Sequence, residues 1–241
     1  MELVGEPMIS DAAHRTLDGV ELLASLSPAE REAVASRCRW KSYSAGEQII
    51  DRQSDSRDVF FVVSGAVRVV IYSLSGREVA LDDITAGGVF GELAALDGSP
   101  RSASVMTVGD TVVASLNHEQ FFALLAGQPD VAMAVMRRLT NIVRTATTRI
   151  LDLSTLGANN RVHADLLQMA RTARITEEGH AAISPIPVHS DIAARVSTTR
   201  ETVARVLNDL SRKKIVRRDQ NALVVLDVDR LSDMVEEVRG E

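Results

Sequence analysis

The stretch Gly91-Glu92-Leu93-Ala94-Ala95-Leu96-Asp97-Gly98-Ser99-Pro100-Arg101-Ser102-Ala103 decides how the rest of the chain is read. It sets a carboxylate in apolar company, a loop of small residues, an arginine and a hydroxyl within one short span. An arginine presents a planar fork of donors that fits anionic oxygens two at a time. Small residues let backbone amides come close to an anion. Glu92 supplies an acceptor for a sugar hydroxyl. Together these suit a small ligand that carries both a phosphate and a ribose-type hydroxyl. A bare Gly-Glu-Leu occurs in many turns. The full run, with Glu92 and Arg101 nine apart and Pro100 fixing the backbone ahead of the arginine, is much more specific.

Around this stretch, from Trp40 to Leu116, short β-type runs are punctuated by Gly, Ser and Asp. They are Val59 to Val63, Ala66 to Tyr72, Glu78 to Leu81, Ala103 to Val108 and Thr111 to Leu116. Ser64-Gly65 and Ser73 to Gly76 are turns between them, and Gly109-Asp110 is an Asp/Gly-type hairpin signal for the last pair. Gly46, Gly65 and Gly87-Gly88 fall where turns are needed. Strands at this spacing predict a sandwich or barrel. Ahead of them, Ser27-Pro28-Ala29-Glu30 predicts a helix to about Arg37, with Ser27 as N-cap, Pro28 in the first turn and Glu30 closing a capping box. Residues before Val20 have no clear periodicity and read as an extension.

Helical periodicity returns after Gln120, and Asp130 opens a long helix expected to end near Leu156-Gly157. Ala132, Met136, Leu139, Val143, Ala146, Ile150 and Leu153 recur at spacings of four and three, the period of a two-stranded coil. Arg137, Arg138, Asn141, Arg144 and Arg149 read as its polar face. A core helix of a monomer shows a similar stripe, but so narrow a seam favours dimerisation. Gly157, followed by Asn159-Asn160, predicts a helix stop and hinge.

Beyond it, a short helix from Val162 to Arg171 leads through a charged turn to Pro185-Ile186-Pro187. Val188 to Lys214 has the layout of a helix-turn-helix: a helix from Ser190 to Val196, a turn at Ser197-Thr198, and a second helix from Thr199 or Arg200 to about Lys213. Val203, Val206, Leu207 and Leu210 share one stripe of the second helix, while Arg200, Glu201, Ala204, Arg205, Asn208 and Arg212 share the other. Arginine pairs bidentately with guanine and glutamate accepts from the cytosine amino group, so such a face suits a major groove. Thr198-x-x-Glu201 has capping-box spacing as well. Ile215 to Leu226 reads as a hairpin with a polar turn, a wing that sets Arg217 and Arg218 against phosphates, and Asp229 to Val238 as a closing helix.

Of the 241 residues, 45% are hydrophobic and 25% charged, an ordinary soluble composition. Met1 to Ser10 has no basic region ahead of an apolar core, so no signal peptide is expected, and no apolar run reaches membrane-spanning length. Cys38 is the single cysteine, which excludes an internal disulfide and cysteine-clustered zinc or iron–sulfur sites. His14, His118, His163, His180 and His189 lack metal-ligand spacing. A reducing cytoplasm is expected. The net charge of −6 conceals an asymmetry. Residues 1–136 hold 10 basic and 19 acidic residues, residues 137–241 hold 17 and 14, and Pro187 to Arg218 alone holds 8 and 3. An acidic chain with a local basic patch still steers a polyanion to that patch.

The run from Gly91 to Ala103 resembles the phosphate-binding cassette of cyclic-nucleotide-binding domains. Arg200-Glu201-Thr202-Val203-Ala204-Arg205 resembles the recognition helix of the cAMP receptor protein branch of the CRP/FNR superfamily of bacterial transcription regulators. The resemblance spans about residues 20 to 228. It implies an α+β fold: an N-terminal cyclic-nucleotide-binding, jelly-roll-like β-roll (21–129) after an extension (1–20), a long dimerisation helix (130–157) and a C-terminal winged helix-turn-helix (158–241). On it, Gly91 and Leu93 belong to the nucleotide pocket, Glu92 accepts from the ribose 2′-OH, and Arg101 and Ser102 hold the cyclic phosphate. A hydroxyl at Ser102 also reaches the guanine amino group of a syn-cGMP in some relatives, so cAMP and cGMP both remain open. The family's base-closing pair falls at Ala146 and Thr147, where Ala146 departs from the pattern; Thr145 and Thr148 are the neighbouring choices. Arg200, Glu201 and Arg205 are implied to read a TGTGA half-site, with His189, Thr199 and Arg217 beside them on the DNA. The implied partners are double-stranded DNA, a second copy of the chain and RNA polymerase, without metal, haem or iron–sulfur cluster. Two other readings stand beside this one: a regulator of the same fold that responds to another ligand or none, and a cyclic-nucleotide-regulated enzyme, for which no nucleophile–base arrangement is present.

Overall fold

The structure is a computed structural model that describes residues 15–73, 78–176 and 178–239. Most of the expected extension, with His14, and most of the expected turn from Ser73 to Gly76 lie outside the described residues. The chain divides into two compact units: residues 1–71 with 81–139, and residues 72–80 with 140–241.

In the first unit a 3-10 turn (Glu21–Leu23) precedes α1 (Pro28–Ala35), whose capping box forms as expected: the Glu30 N–H donates to Ser27 Oγ, and the Ser27 N–H donates to Glu30 Oε2 at 2.8 Å. Eight strands make two four-stranded sheets. One has the order β1 (Arg39–Tyr43), β8 (Thr111–Leu116), β3 (Val59–Ser64), β6 (Val89–Phe90). The other has the order β2 (Gln48–Ile50), β7 (Ser104–Thr107), β4 (Ala66–Tyr72), β5 (Glu78–Thr85). β3 lies between two neighbours, and Val59, Phe61 and Val62 are all fully buried, which is why it reads as an unbroken apolar run rather than an alternating one. Gly65, at φ 81°, turns the chain from β3 into the other sheet. A Cβ there would lie 2.3 Å from the Asp110 carbonyl oxygen, so only glycine fits.

The hairpin expected at Gly109-Asp110 does not form. β7 pairs with β2 and β4, whereas β8 pairs with β1 and β3, so this turn crosses from one sheet to the other. The crossing lets Val105 and Val113, on successive strands, meet in one core between the sheets. β5 also runs to Thr85, four residues past the expected end.

α3 (His118–Gly127) starts before the expected Gln120 because Asn117 caps it, its Oδ1 accepting from the Gln120 N–H at 2.9 Å. α4 (Pro129–Thr155) is the expected long helix. Val131 and Val135 bury their side chains beside Phe61, Phe121 and Leu23. Of the coil seam, Met136, Val143, Ile150 and Leu153 are 51%, 63%, 65% and 44% exposed, while Ala132 and Leu139 are half-buried.

In the second unit α4 ends at Thr155, and Gly157 does not stop it through a left-handed turn. Gly157 has φ −64° and serves as N-cap of α5 (Ala158–Thr172), so Asn159 and Asn160 fall in a helical first turn and α5 starts four residues before the expected Val162. The charged turn that follows holds two short strands, β9 (Arg174–Ile175) and β10 (Ala181–Ile183). These join the expected wing hairpin, β11 (Val216–Arg218) and β12 (Leu223–Val225), in the order β11-β12-β10-β9. α6 (His189–Arg195), α7 (Arg200–Arg212) and α8 (Val228–Arg239) complete the unit. Leu166, Ile192, Val203, Leu210, Ile215 and Leu231, each fully buried, form its core. Among the described residues no helix is long and apolar enough to cross a membrane.

Candidate nucleotide and nucleic-acid sites

The cassette is built on α2 (Glu92–Asp97), a short helix framed by left-handed glycines, Gly91 at φ 83° and Gly98 at φ 71°. Gly91 has no alternative. A Cβ there would stand 2.8 Å from both Arg101 Nη1 and the Asp58 carbonyl oxygen. The carbonyl of Gly91 accepts from Arg101 Nη1 at 2.8 Å, and the carbonyl of Asp58 accepts from Nη2 at 2.8 Å. Ser56 Oγ accepts from both Nε and Nη2, each at 3.1 Å. Phe60, stacked on Phe90 with ring centroids 5.0 Å apart, lies 5.8 Å from the guanidinium carbon. Arg101 is thus 4% exposed and oriented on every side. Burial pushes its pKa down, and the charges of Asp58 and Glu92 oppose that; the group remains a cation.

Glu92 is also 4% exposed, but its partner is not Arg101. Arg138 Nε, on α4, donates to Glu92 Oε1 at 3.0 Å. This corrects the placing of Arg138 on a polar outer face. Val131, Val135 and Arg138 are four and three residues apart, so Arg138 continues the buried stripe. That periodicity was the available signal for a residue the cassette reading omitted. Arg149 leaves the polar face as well, its Nη1 donating to the Ala80 carbonyl at 2.6 Å. Leu93 and Ser102 are exposed beside Glu92 and Arg101. Thr147 and Thr148 are exposed on the second half of α4. Thr147 Oγ1 donates to the Val143 carbonyl at 2.9 Å, which spends its proton and leaves its lone pairs outward.

In the second unit the helix-turn-helix has the expected layout, its second helix starting at Arg200, the later of the two expected residues. The Thr198 N–H closes on the Ala193 carbonyl at 3.0 Å, after Ser197 takes φ 53°. Thr199, with the extended backbone of an N-cap, accepts from the Thr202 N–H at 3.3 Å, so Thr199 is the residue that caps the helix. Val203, Val206 and Leu210 face the core, while Thr199, Arg200, Glu201, Arg205 and Asn208 are exposed. Hydrogen bonds from its own N–H and from the Thr199 hydroxyl, with the nearby Arg200 charge, hold the Glu201 carboxyl below the usual range. It is an ionised acceptor at neutral pH. His189, half-buried, opens α6, and Arg217 stands exposed at the middle of β11, opposite Val224.

Part of the basic patch is structural. Arg195 forms a bidentate pair with Asp165 at 3.0 and 2.9 Å, and Arg212 and Lys213 both pair with Asp209. Arg161, for which the sequence carries no signal, fixes the turn. Its Nε donates to the Val196 carbonyl at 2.8 Å, Nη2 to the Ser197 carbonyl at 3.2 Å and Nη1 to the Leu156 carbonyl at 2.8 Å.

Behind α7 a cleft of about 460 Å³ opens, with His163, Arg205, Arg212 and Lys213 among its lining. His163 is 7% exposed and its Nδ1 has no partner among the described residues. Burial, then the Lys213 charge, push its pKa below 6.5, with Asp209 opposing. The folded state therefore excludes a proton that the unfolded chain accepts. The stability this contributes is full above pH 6.5 and is lost as pH falls through that value towards the lowered pKa. The melting temperature of the C-terminal unit is expected to drop on acidification below about pH 6.5, and His163→Leu to flatten that slope in a pH series of thermal melts. An unchanged slope would contradict this.

A β-roll that buries an acid and an arginine is thus followed by a helix-turn-helix with an exposed arginine face, and comparison with known proteins gives the family. Residues 40–128 match the cyclic nucleotide-binding domain and residues 160–234 the Crp-like helix-turn-helix domain. The cyclic AMP receptor protein of Thermus thermophilus is 31% identical over 218 residues, covering 90% of this chain and 98% of that protein. Among solved structures, a CooA mutant from Carboxydothermus hydrogenoformans aligns with TM-score 0.78 at 24% identity, over 89% of this chain and 94% of that one. The c-di-GMP-responsive regulator CLP of Xanthomonas campestris aligns with TM-score 0.71 at 17% identity, over 83% and 99%. These two show the shared fold. The chain belongs to the CRP/FNR family of DNA-binding transcription regulators, with a cyclic-nucleotide-binding domain. Its relatives are transcription regulators rather than enzymes.

Proposed function

We propose that the protein is a homodimeric, cytoplasmic transcription regulator that cyclic AMP switches to a DNA-binding form at TGTGA-type palindromes. The observation that carries this reading is the Glu92–Arg138 bridge, because it ties the cassette directly to α4. A ribose hydroxyl donating to Glu92 shares or replaces that contact, so ligand binding bears on the helix that holds the exposed seam. Gly91 and Leu93 frame the pocket, Arg101 and Ser102 take the phosphate, and Thr147 and Thr148 serve the base. The 31% identity to the cyclic AMP receptor protein of Thermus thermophilus supports cyclic AMP as the ligand. The exposed Ser102 hydroxyl favours a second reading, cyclic GMP. The CLP neighbour shows that a regulator of this fold can answer to a different ligand.

Pairing of two seams buries Met136, Val143, Ile150 and Leu153 and sets two recognition helices one DNA turn apart, about 34–36 Å. The nucleotide acts by population shift, binding the DNA-competent geometry more tightly than the other. Arg200, Glu201 and Arg205 read bases, while His189, Thr199 and Arg217 hold the backbone. RNA polymerase is the further partner of a protein so placed on a promoter.

Calorimetric titration with cAMP, cGMP and 5′-AMP tests the ligand; saturable heat with a cyclic mononucleotide is expected, and none with either would contradict the reading. On DNA, Arg205→Ala is expected to cost about 1–3 kcal/mol on a TGTGA duplex and to relax preference at the guanine it reads. An equal loss on random sequence would make Arg205 a phosphate contact. Arg217→Ala is expected to weaken all duplexes alike and to lower the salt slope by about one.

A further inference from the structure

The Arg101 guanidinium has two edges that can grip a pair of oxygens. The Nη1–Nη2 edge is fixed by the carbonyls of Gly91 and Asp58, which are backbone and cannot leave without remaking β3 and the start of α2. The Nε–Nη2 edge is held by a single atom, Ser56 Oγ, at 3.1 Å from each nitrogen. Ser56 is exposed, in the loop before β3. A hydroxyl oxygen has two lone pairs and one proton. With both lone pairs facing Arg101, the proton points to Ser54 Oγ, 3.2 Å away. Ser56 thus places one oxygen across two donors, the position an anionic phosphate oxygen takes on a guanidinium.

We propose that Ser56 is a built-in stand-in for the ligand's phosphate: its hydroxyl holds the phosphate-reading edge of Arg101, and the incoming phosphate displaces it. This rests on the reading of Arg101 as the phosphate partner. A neutral hydroxyl satisfies the buried cation without neutralising it, so the site stays assembled yet yields to a charged oxygen, which forms the stronger bond. An acid at position 56 would not yield. Ser56 thereby sets the affinity threshold of the site without being required for binding.

The test uses the full-length protein and two measurements. The first is proton exchange at the Arg101 Nε–H by NMR, without nucleotide. Ser56→Ala is expected to speed exchange, and Ser56→Thr to keep it slow. The second is cAMP affinity by calorimetry. Ser56→Ala is expected to tighten binding by about two- to tenfold, by removing a competing hydroxyl whose bonds to Arg101 water replaces in part. Ser56→Thr is expected to stay near wild type, and Ser56→Asp to weaken binding by about tenfold or more. Unchanged exchange in Ser56→Ala, or equal or weaker cAMP binding by it, overturns the proposal. Should the wild-type protein bind no cyclic nucleotide, the reading of Arg101 fails, and the exchange experiment still decides whether Ser56 holds that edge.

Discussion

Arg101→Ala is expected to lower cyclic-nucleotide affinity by two to four orders of magnitude. A guanidinium gives a phosphate two charge-assisted bonds, each about 1.5–3 kcal/mol, and tenfold in affinity is about 1.4 kcal/mol. The change also reaches the fold. Arg101 is 4% exposed, and its removal leaves the Gly91 and Asp58 carbonyls without their donor. Losing such partners costs about 1–3 kcal/mol each, offset in part because a buried cation no longer needs desolvating. Urea unfolding followed by Trp40, the single tryptophan and a residue of β1, reports on this unit. Its midpoint is expected to fall together with affinity. Arg101→Lys, which keeps the charge but not the fork, is expected to recover only part of both. Wild-type affinity in Arg101→Ala would remove the residue from the phosphate site.

Arg161→Ala is expected to disable DNA binding from a distance. Three carbonyls, those of Leu156, Val196 and Ser197, depend on this one side chain. Two of them lie at the turn that sets α7 against α6, where Ser197 already holds a left-handed backbone. The C-terminal unit is expected to lose about 2–4 kcal/mol, and affinity to fall on all DNA sequences alike, since no base contact is touched. Hydrogen exchange across residues 196–200 should quicken, while cAMP affinity stays at the wild-type value. Arg161→Lys is not expected to rescue, because one ammonium cannot span three carbonyls in this geometry. Unaltered exchange at the turn would refute the assigned role.

Local chemistry was legible in the chain. The Ser27–Glu30 box, the stripe of α7 and the wing hairpin follow from patterns a few residues long, and the structure contains them. The cassette was legible because its glycines and its acid–arginine pair lie within one span. What lay hidden depended on tertiary neighbours. Ser56 and Arg101 are 45 residues apart, Glu92 and Arg138 are 46, and Arg161 and Val196 are 35. Gly109-Asp110 misled for the same reason. A turn dipeptide reverses the chain but does not specify which sheet receives the next strand, and burial of both inner faces decided that. At the recognition helix, the sequence left the start open between Thr199 and Arg200; the Thr199 side chain caps the Thr202 N–H, and the helix begins at Arg200.

The most direct measurement is fluorescence anisotropy of a duplex carrying TGTGA and its inverted repeat, titrated with the protein in the presence of cAMP, cGMP or neither, at fixed salt. Tight binding is expected with cAMP and much weaker binding without nucleotide, the gain being lost in Arg101→Ala. Equal binding under all three conditions would contradict this, leaving a DNA-binding protein whose cassette does not control it.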